Sequence, residues 1–266
     1  MSNPSPEKKV VIKVVTVSIV MLLLSYSVIF YLIRGVIEQE SMLNMIQKSR
    51  ALTVQLEQVR HTVSGMVAEG VFDPGLLTEA QKYIQRKGAK SKDEIIKVAR
   101  LTRFYQTIPI VSSLKIAQTR STDAHYQFRV VRVGARNPNS EATPIEKKML
   151  EKMAEKNLPE HWQIDQEKNA LRYMRAIIMK KECLLCHGTE KDYPQGKGYD
   201  PLGIKMERWS LGEQRGAFEI ISDLKPLQEA VRRVQHTLIG IGVVLVILLI
   251  FSAPFWFNIL LARKKT

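Results

Sequence analysis

The sequence predicts an α+β fold, a water-facing domain of helices and a small antiparallel sheet carried between two membrane-spanning helices. Three observations predict it. Residues 14–33 and 237–261 are uncharged runs rich in Val, Ile and Leu, each long enough for a ~30 Å hydrocarbon core. Between them, several segments show helical apolar spacing, and three short ones, 126–133, 171–179 and 216–222, are rich in β-branched and aromatic residues. With 45% hydrophobic and 25% charged residues in 266, the chain has the composition of a folded protein.

The elements follow in order. Residues 38–68 read as a helix with apolar positions at Leu43, Ile46, Leu52, Leu56, Val59, Val63 and Met66. No proline separates them from the first run, so one long helix is expected, with Gly35 and Gly65 its weak points. Phe72-Asp73-Pro74-Gly75 is a turn signal. A short helix covers 76–85 and ends at Lys87-Gly88. Ser91, with Glu94 three positions on, makes a capping box that opens a helix through Gln106. Pro109 separates it from a helix over 110–118. Residues 126–133 alternate as a strand, and Asn137-Pro138-Asn139 is a turn. Thr143-Pro144-Ile145-Glu146 is a second capping box, with proline at the first helical position. Its helix runs to about Lys156. Strands at 171–179 and 216–222 follow, separated by a Gly- and Pro-rich loop over 193–203, and Pro226 opens the helix that enters the second run.

Topology comes from the flanks. A cleaved signal peptide has an apolar region of ~7–15 residues followed by a small-x-small site; here the run is longer and Arg34-Gly35-Val36 comes next. Lys8, Lys9 and Lys13 precede the first run, and Arg263, Lys264 and Lys265 follow the second. Positive flanks stay in the cytoplasm. The expected organisation is a cytoplasmic N-terminus at 1–13, a span at 14–33, an extracytoplasmic domain at 34–236, a span at 237–261 and a cytoplasmic tail at 262–266. Both ends of the domain return to the membrane, so the spans are expected to be neighbours. The net charge of +14 suits a surface that meets anionic lipid headgroups or an acidic partner. Nucleic acid is implausible outside a membrane.

The only two cysteines stand in Cys183-Leu184-Leu185-Cys186-His187. Two thiols two residues apart, with a histidine directly after, is the covalent attachment pattern of c-type haem. The spacing matches the separation of two vinyl groups on one porphyrin, and His187 is then forced beneath the ring as proximal iron ligand. A structural zinc site would need two more ligands. A thioredoxin-like dithiol would need a different surrounding pattern, and a two-residue disulfide loop staples almost nothing.

Six segments carry a resemblance that extends beyond this motif. They are Phe104-Tyr105-Gln106-Thr107-Ile108-Pro109-Ile110-Val111, Phe128-Arg129-Val130, Arg136-Asn137-Pro138-Asn139, Leu171-Arg172-Tyr173, Cys183-Leu184-Leu185-Cys186-His187-Gly188 and Gly212-Glu213-Gln214-Arg215-Gly216-Ala217. In this order, over roughly residues 40–225, the chain resembles the single-haem c-type cytochrome domains with a PAS-like fold, found in free cytochromes and as outer sensor modules of bacterial receptors. The resemblance implies a PAS-like sheet cradling one haem c, thioether bonds to Cys183 and Cys186, and His187 as proximal ligand. Some members place a cysteine across the iron from the helix before the Ile-Pro segment. Here that helix carries Phe104 and Tyr105, and both cysteines are already used, so a thiolate sixth ligand is excluded.

Other ligands remain open. His61 is preferred among the four remaining histidines, since it lies on the first external helix near Val63 and Met66; His125, His161 and His236 are the others. Met66 and Met174 are thioether alternatives, Tyr105 is a further one, and an open five-coordinate site would suit gas sensing. Arg129, Arg136, Arg172 and Arg215 are candidates to pair with haem propionates, because a guanidinium fork matches a carboxylate. No catalytic constellation stands out, so no enzyme activity is expected. The expected function is electron transfer or redox response by a mono-haem cytochrome on the outer face of a bacterial cytoplasmic membrane. It would act with a redox or signalling protein, as subunit or partner of a larger membrane complex. With about five residues after the second run, no attached output domain is expected. A haem-based sensor signalling through a separate membrane partner is the alternative, and an accessory subunit with a structural haem is another.

Overall fold

Helix α1 runs from Pro6–Ala68 without a break, as the absence of proline across residues 7–68 leads one to expect. A computed structural model describes residues 6–119 and 126–263. They form two units, one of residues 1–44 with 225–266 and one of residues 45–224.

The first unit joins the start of α1 to a second long helix, α8, Lys225–Arg263. Both are long and apolar enough to cross a membrane. They are neighbours: the Tyr26 hydroxyl donates to the Leu238 carbonyl. A Cβ added at Gly242 would lie 2.9 Å from the Tyr26 ring, so a small residue is what allows the close approach.

The second unit is α+β. After the rest of α1 come α2 (Gly75–Arg86), α3 (Lys92–Ala99), α4 (Arg103–Gln106) and α5 (Pro109–Gln118), then β1 (Tyr126–Val131), α6 (Pro144–Glu155), β2 (Glu160–Asp165), β3 (Ala170–Ile178), the single turn α7 (Leu184–His187) and β4 (Gln214–Asp223). The four strands form one antiparallel sheet in the order β1-β4-β3-β2.

The helix expected over 91–106 is two helices. The Ser91–Glu94 capping box is present, but the run stops at Ala99, where Thr102 turns its hydroxyl onto the Ala99 carbonyl and accepts the Tyr105 N–H to start α4. A side chain that caps a new helix competes with continuing the old one. Strand β2 was not anticipated. Its residues Glu160 to Asp165 alternate too weakly in hydropathy, and it forms by pairing with β3, His161 opposite Met174 and Ile164 opposite Leu171.

The sheet has two different faces because successive side chains alternate. One face carries Phe128, Ile177, Phe218 and Ile220, covered by Leu52 and Leu56 of α1 and Ile110 and Leu114 of α5. The other carries Val131, Met174 and Ala217 under Met149, Leu150 and Met153 of α6. At ~1.5–3 kcal/mol for each large apolar side chain fully buried, these two layers are the main source of the domain's stability. Within this unit, the buried stripe of α1 is Ile46, Ser49, Thr53, Leu56, Arg60 and Ser64, at helical i, i+3/i+4 spacing. It differs from the apolar positions read from the sequence. Ser49 and Thr53 are buried because their hydroxyls bond carbonyls one turn back.

Candidate functional site

The Cys-x-x-Cys-His segment lies on a helical turn. After β3 the chain is tied to β4's lead-in by Met179 N–H to the Glu213 carbonyl and Gly212 N–H to the Met179 carbonyl, 2.8 and 2.9 Å. A 3-10 turn over Lys181–Cys183 then passes into α7, with Cys183 at its N-cap. Positions i, i+3 and i+4 share one helical face, so Cys183, Cys186 and His187 point the same way. The turn closes by Gly188 N–H to the Leu184 carbonyl, 2.8 Å. A Cβ at Gly188 would lie 2.6 Å from that carbonyl and 2.5 Å from Asp192, so only glycine fits after the histidine.

A second strip of chain runs beside the turn. Arg208 donates to the Gly188 carbonyl and Trp209 to the His187 carbonyl, each at 2.9 Å. This places Trp209 flat against the His187 imidazole, 4.4 Å between centroids and 6° between planes. The Arg132 guanidinium lies on Trp209 at 4.1 Å, within cation–π range. His187 Nδ1 bonds the Glu207 carboxylate. Glu207 also pairs with Arg132 at 2.7 Å and lies 3.0 Å from Arg136 Nε. Burial pushes His187 below its ordinary pKa, against the pull of Glu207. Glu207 is itself opposed by burial, yet His187 and the two arginines hold it down to about 2. A neutral imidazole whose Nδ1 faces a carboxylate keeps its proton there and leaves the Nε2 lone pair free.

Arg136 clamps the turn from the other side. It bonds Asp200 at 2.5 Å and the Cys186 carbonyl at 2.7 Å. Asp200 in turn accepts the Leu202 and Ile204 N–H groups at 2.9 Å. Burial and the nearby Asp200 carboxylate push the Cys186 thiol up to about 12. Cys183 meets Arg60 of α1, whose Nη1 lies 3.3 Å from the Sγ while its other nitrogens hold Glu57.

Two adjoining cavities, of about 520 and 220 Å³, are both lined by Cys186, His187, Arg136, Ile108, Ile110 and Val130. The smaller extends along Cys183, Ile177, Met179 and Trp209 to Arg60 and Arg215. The larger extends under α4 and α5 along Tyr105, Val111, Leu114 and Phe128 to Arg100, Lys115 and Arg129. The space is a slot between the apolar face of the sheet and the α4–α5 pair. Two thiols and an imidazole line it, and Arg60, Arg100, Lys115 and Arg215 are among the cations on its walls.

That donor set and shape fit a covalently held haem. The sulfurs would take the vinyl edge and His187 Nε2 the iron. Of the cations that line the larger cavity, Arg100 and Lys115 would be available to the propionates, whereas Arg129 turns its guanidinium to Glu146 on the other face of the sheet. Arg60, at the Cys183 end, is then a thioether neighbour.

The candidate residues separate on this geometry. Cys183, Cys186, His187 and Arg136 come together, and Arg215 reaches the rim while paired with Glu213 at 2.9 Å. Arg129 lines the larger cavity but bonds Glu146 at 2.8 Å. Arg172 is not at the cavity; it is buried on the α6 face, bonded to Asp165, Glu146 and Glu219 at 2.7–3.0 Å. His61 faces solvent, because the inward position of that turn belongs to Arg60, one residue earlier. His161 is on β2, with Nε2 buried and unpaired, and burial followed by the charges of Lys152 and Lys156 lowers its pKa. His236 belongs to α8 in the other unit, Met66 is exposed and Met174 is in the α6 layer. His125 lies outside the described residues. Among the described residues, Tyr105 is the one sixth-ligand candidate lining the slot. Glu207, Trp209, Arg132, Arg60 and Arg100 were not legible. Only folding brings them to the motif, and no spacing in the chain marks them.

These observations define an α+β protein that carries a Cys-x-x-Cys-His turn on the wall of an apolar slot. The chain belongs to the Tll0287-like family, whose profile matches residues 38–222. It is similar to the crystal structure of the cyanobacterial haem protein Tll0287, with 20% identity and a TM-score of 0.41, over 66% of this chain and 93% of that one. No curated protein matches.

Proposed function

We propose that this chain is a membrane-anchored, mono-haem c-type cytochrome that transfers electrons, or responds to redox state, on the outer face of a bacterial cytoplasmic membrane. The observation that carries the reading is the convergence of Cys183, Cys186 and His187 on one helical face, opening into one apolar slot. Family membership supports it, since the family takes its name from a haem protein. Haem, when bound, supplies a one-electron Fe(III)/Fe(II) couple. The protein's part is to hold it by two thioethers, present His187 Nε2, exclude water with Ile108, Ile110, Val130 and Ile177, and offer cations to the propionates. A sheet with α4 and α5 across its binding face is the PAS-like arrangement this reading assumes. α1 and α8 are the two spans, both termini are cytoplasmic, and the basic surface meets anionic headgroups or an acidic redox or signalling partner. The protein is then a subunit or partner of a larger membrane complex, with no catalytic activity of its own. The pyridine haemochrome spectrum of the purified full chain tests the haem step. A c-type band that is lost in C183S/C186S is expected, and a wild-type spectrum without it sinks the proposal.

A specific observation favours a second reading, a haem-based sensor that signals through a separate membrane protein. Ile108, Ile110, Val111 and Leu114 line the larger cavity together with His187, with Tyr105 the one ligand candidate there among the described residues. An aliphatic wall leaves room for a small exogenous ligand. Rapid carbon monoxide binding by the reduced protein is the expected result under this reading. Failure to bind it, with fast reduction by a partner, returns the assignment to electron transfer. An H61A change leaves the absorption spectrum unaltered in either case.

A further inference from the structure

His187 is held by more than the turn that carries it. Its Nδ1 meets the carboxylate of Glu207, twenty positions on, and its ring is sandwiched against Trp209. Glu207 is largely buried and gripped by Arg132 and Arg136. The backbone bonds from Arg208 and Trp209 to residues 187 and 188 fix this pairing in register. A buried carboxylate on the far nitrogen of a ligating imidazole fixes its tautomer and ring orientation and raises its basicity. More negative character on a proximal ligand stabilises the higher oxidation state of the iron, and hydrogen bonding behind an axial ligand is one of the protein's levers on haem potential.

We propose that Glu207 is the positioning residue of the proximal side: it accepts the Nδ1–H of His187 as a hydrogen bond, aims Nε2 into the slot, and lowers the reduction potential of the bound haem. Arg132 and Arg136 oppose it by drawing charge off the carboxylate, so the two arginines set how far the potential falls. The inference rests on the haem c reading above. It adds a residue that neither the motif nor the family match marks.

The test is a redox titration of the full chain in detergent, with the pyridine haemochrome recorded on each preparation. E207Q keeps the side-chain shape and removes the charge, so its midpoint should rise. E207D keeps the charge but withdraws it by one methylene, breaking the bond to Nδ1, and its midpoint should move most of the way to that of E207Q. R132Q leaves Glu207 with one cation fewer and should shift the midpoint downward. A c-type band with an unchanged midpoint in E207Q overturns the inference and leaves the haem reading standing. So does a midpoint that rises in E207Q but stays at the wild-type value in E207D, because through-space charge alone would then account for it. If neither Glu207 variant folds, R132Q decides: a midpoint that is unchanged or raised overturns the proposal. A wild-type chain without a c-type band removes the reading on which the inference rests.

Discussion

Arg172, Glu146 and Glu219 lie fully buried side by side on the α6 face of the sheet. With Asp165 and Arg129 they make a group of three carboxyls and two guanidiniums. One proton on a carboxyl makes the group neutral, and the geometry selects which. Glu146 accepts from Arg129, Arg172 and the Thr143 N–H. Glu219 holds Arg172 with one oxygen and leaves the other without a partner. Burial, then the neighbouring Glu146 carboxylate through hydrogen bonding and charge, pushes Glu219 up to about 8, while Glu146 is held low despite its burial. Because the folded pKa is raised, the unfolded state binds fewer protons between about 4.5 and 8, so this group's contribution is full below the unfolded value and is lost as pH rises through the folded one. Glu160 and Glu207, both lowered, act below that window. His161 and His187, also lowered, act in the opposite sense, so the comparison must be with a variant. E219Q, unfolded by denaturant at several pH values, should lose less stability than the parent between pH 5 and 8; parallel curves would show that Glu219 carries no proton there. At this scale the sequence marks a residue when its chemistry is local. The thiols and His187 lie within five consecutive positions and were legible. Glu207 acts across twenty positions and Arg60 across more than a hundred, and both needed the fold. His61 was a phase error of one residue, because the inward stripe of α1 hides Ser49, Thr53 and Arg60, which hydropathy reads as outward.

The strands and helices owe their limits to particular contacts. Gly216, in β4, has φ +121°, and a Cβ there would lie 2.7 Å from the Val131 carbonyl oxygen. β1 and β4 therefore pair closely only with glycine at this point, next to the Ala217–Val131 rung. Alanine would impose both a strained backbone and a clash with main chain, which cannot swing aside. G216A is expected to cost about 2 kcal/mol or more, and because β1 walls the slot it should also lower haem retention after purification. A thermal midpoint within a degree of the parent would contradict this. A milder loss is expected at the start of α3. Ser91 accepts the Glu94 N–H and the Glu94 carboxylate takes the Ser91 N–H, so S91A should cost about 1 kcal/mol, read from the same melts. Elements with local signals, α2, α5, α6, β1, β3 and β4, were legible to within a few residues, and α3 at its capped start but not at its end. β2 was not, because an edge strand owes its existence to its partner, and α4 was not, because Thr102 reads equally as helix interior and as cap.

For the whole molecule, the proposed reading makes a definite prediction about the side of the membrane on which the slot lies. Covalent haem attachment to Cys-x-x-Cys-His takes place outside the cytoplasmic membrane, so the reading proposed here requires residues 34–236 to be exported. The lysines before α1's apolar run and the basic residues after α8's predict the same orientation by an independent rule, since positive flanks resist translocation. The side-by-side pairing of the two helices through Tyr26, Leu238 and Gly242 is compatible with the two-pass hairpin that the proposed reading assumes. An epitope inserted in the exposed stretch around Glu190 and Lys191 should be cut by protease added to spheroplasts, while an epitope after Thr266 should survive until the membrane is permeabilised. Protection of the first tag would place the slot in the cytoplasm and remove the haem c proposal along with the topology. Cleavage of both tags would break the two-pass arrangement while leaving the export of the slot intact. G242L, by forcing bulk against the Tyr26 ring, should loosen the helix pair. The expected signature is a lower thermal midpoint of the full chain with an unchanged haem spectrum, because the slot is built entirely from residues 60–215 and not from the helix pair.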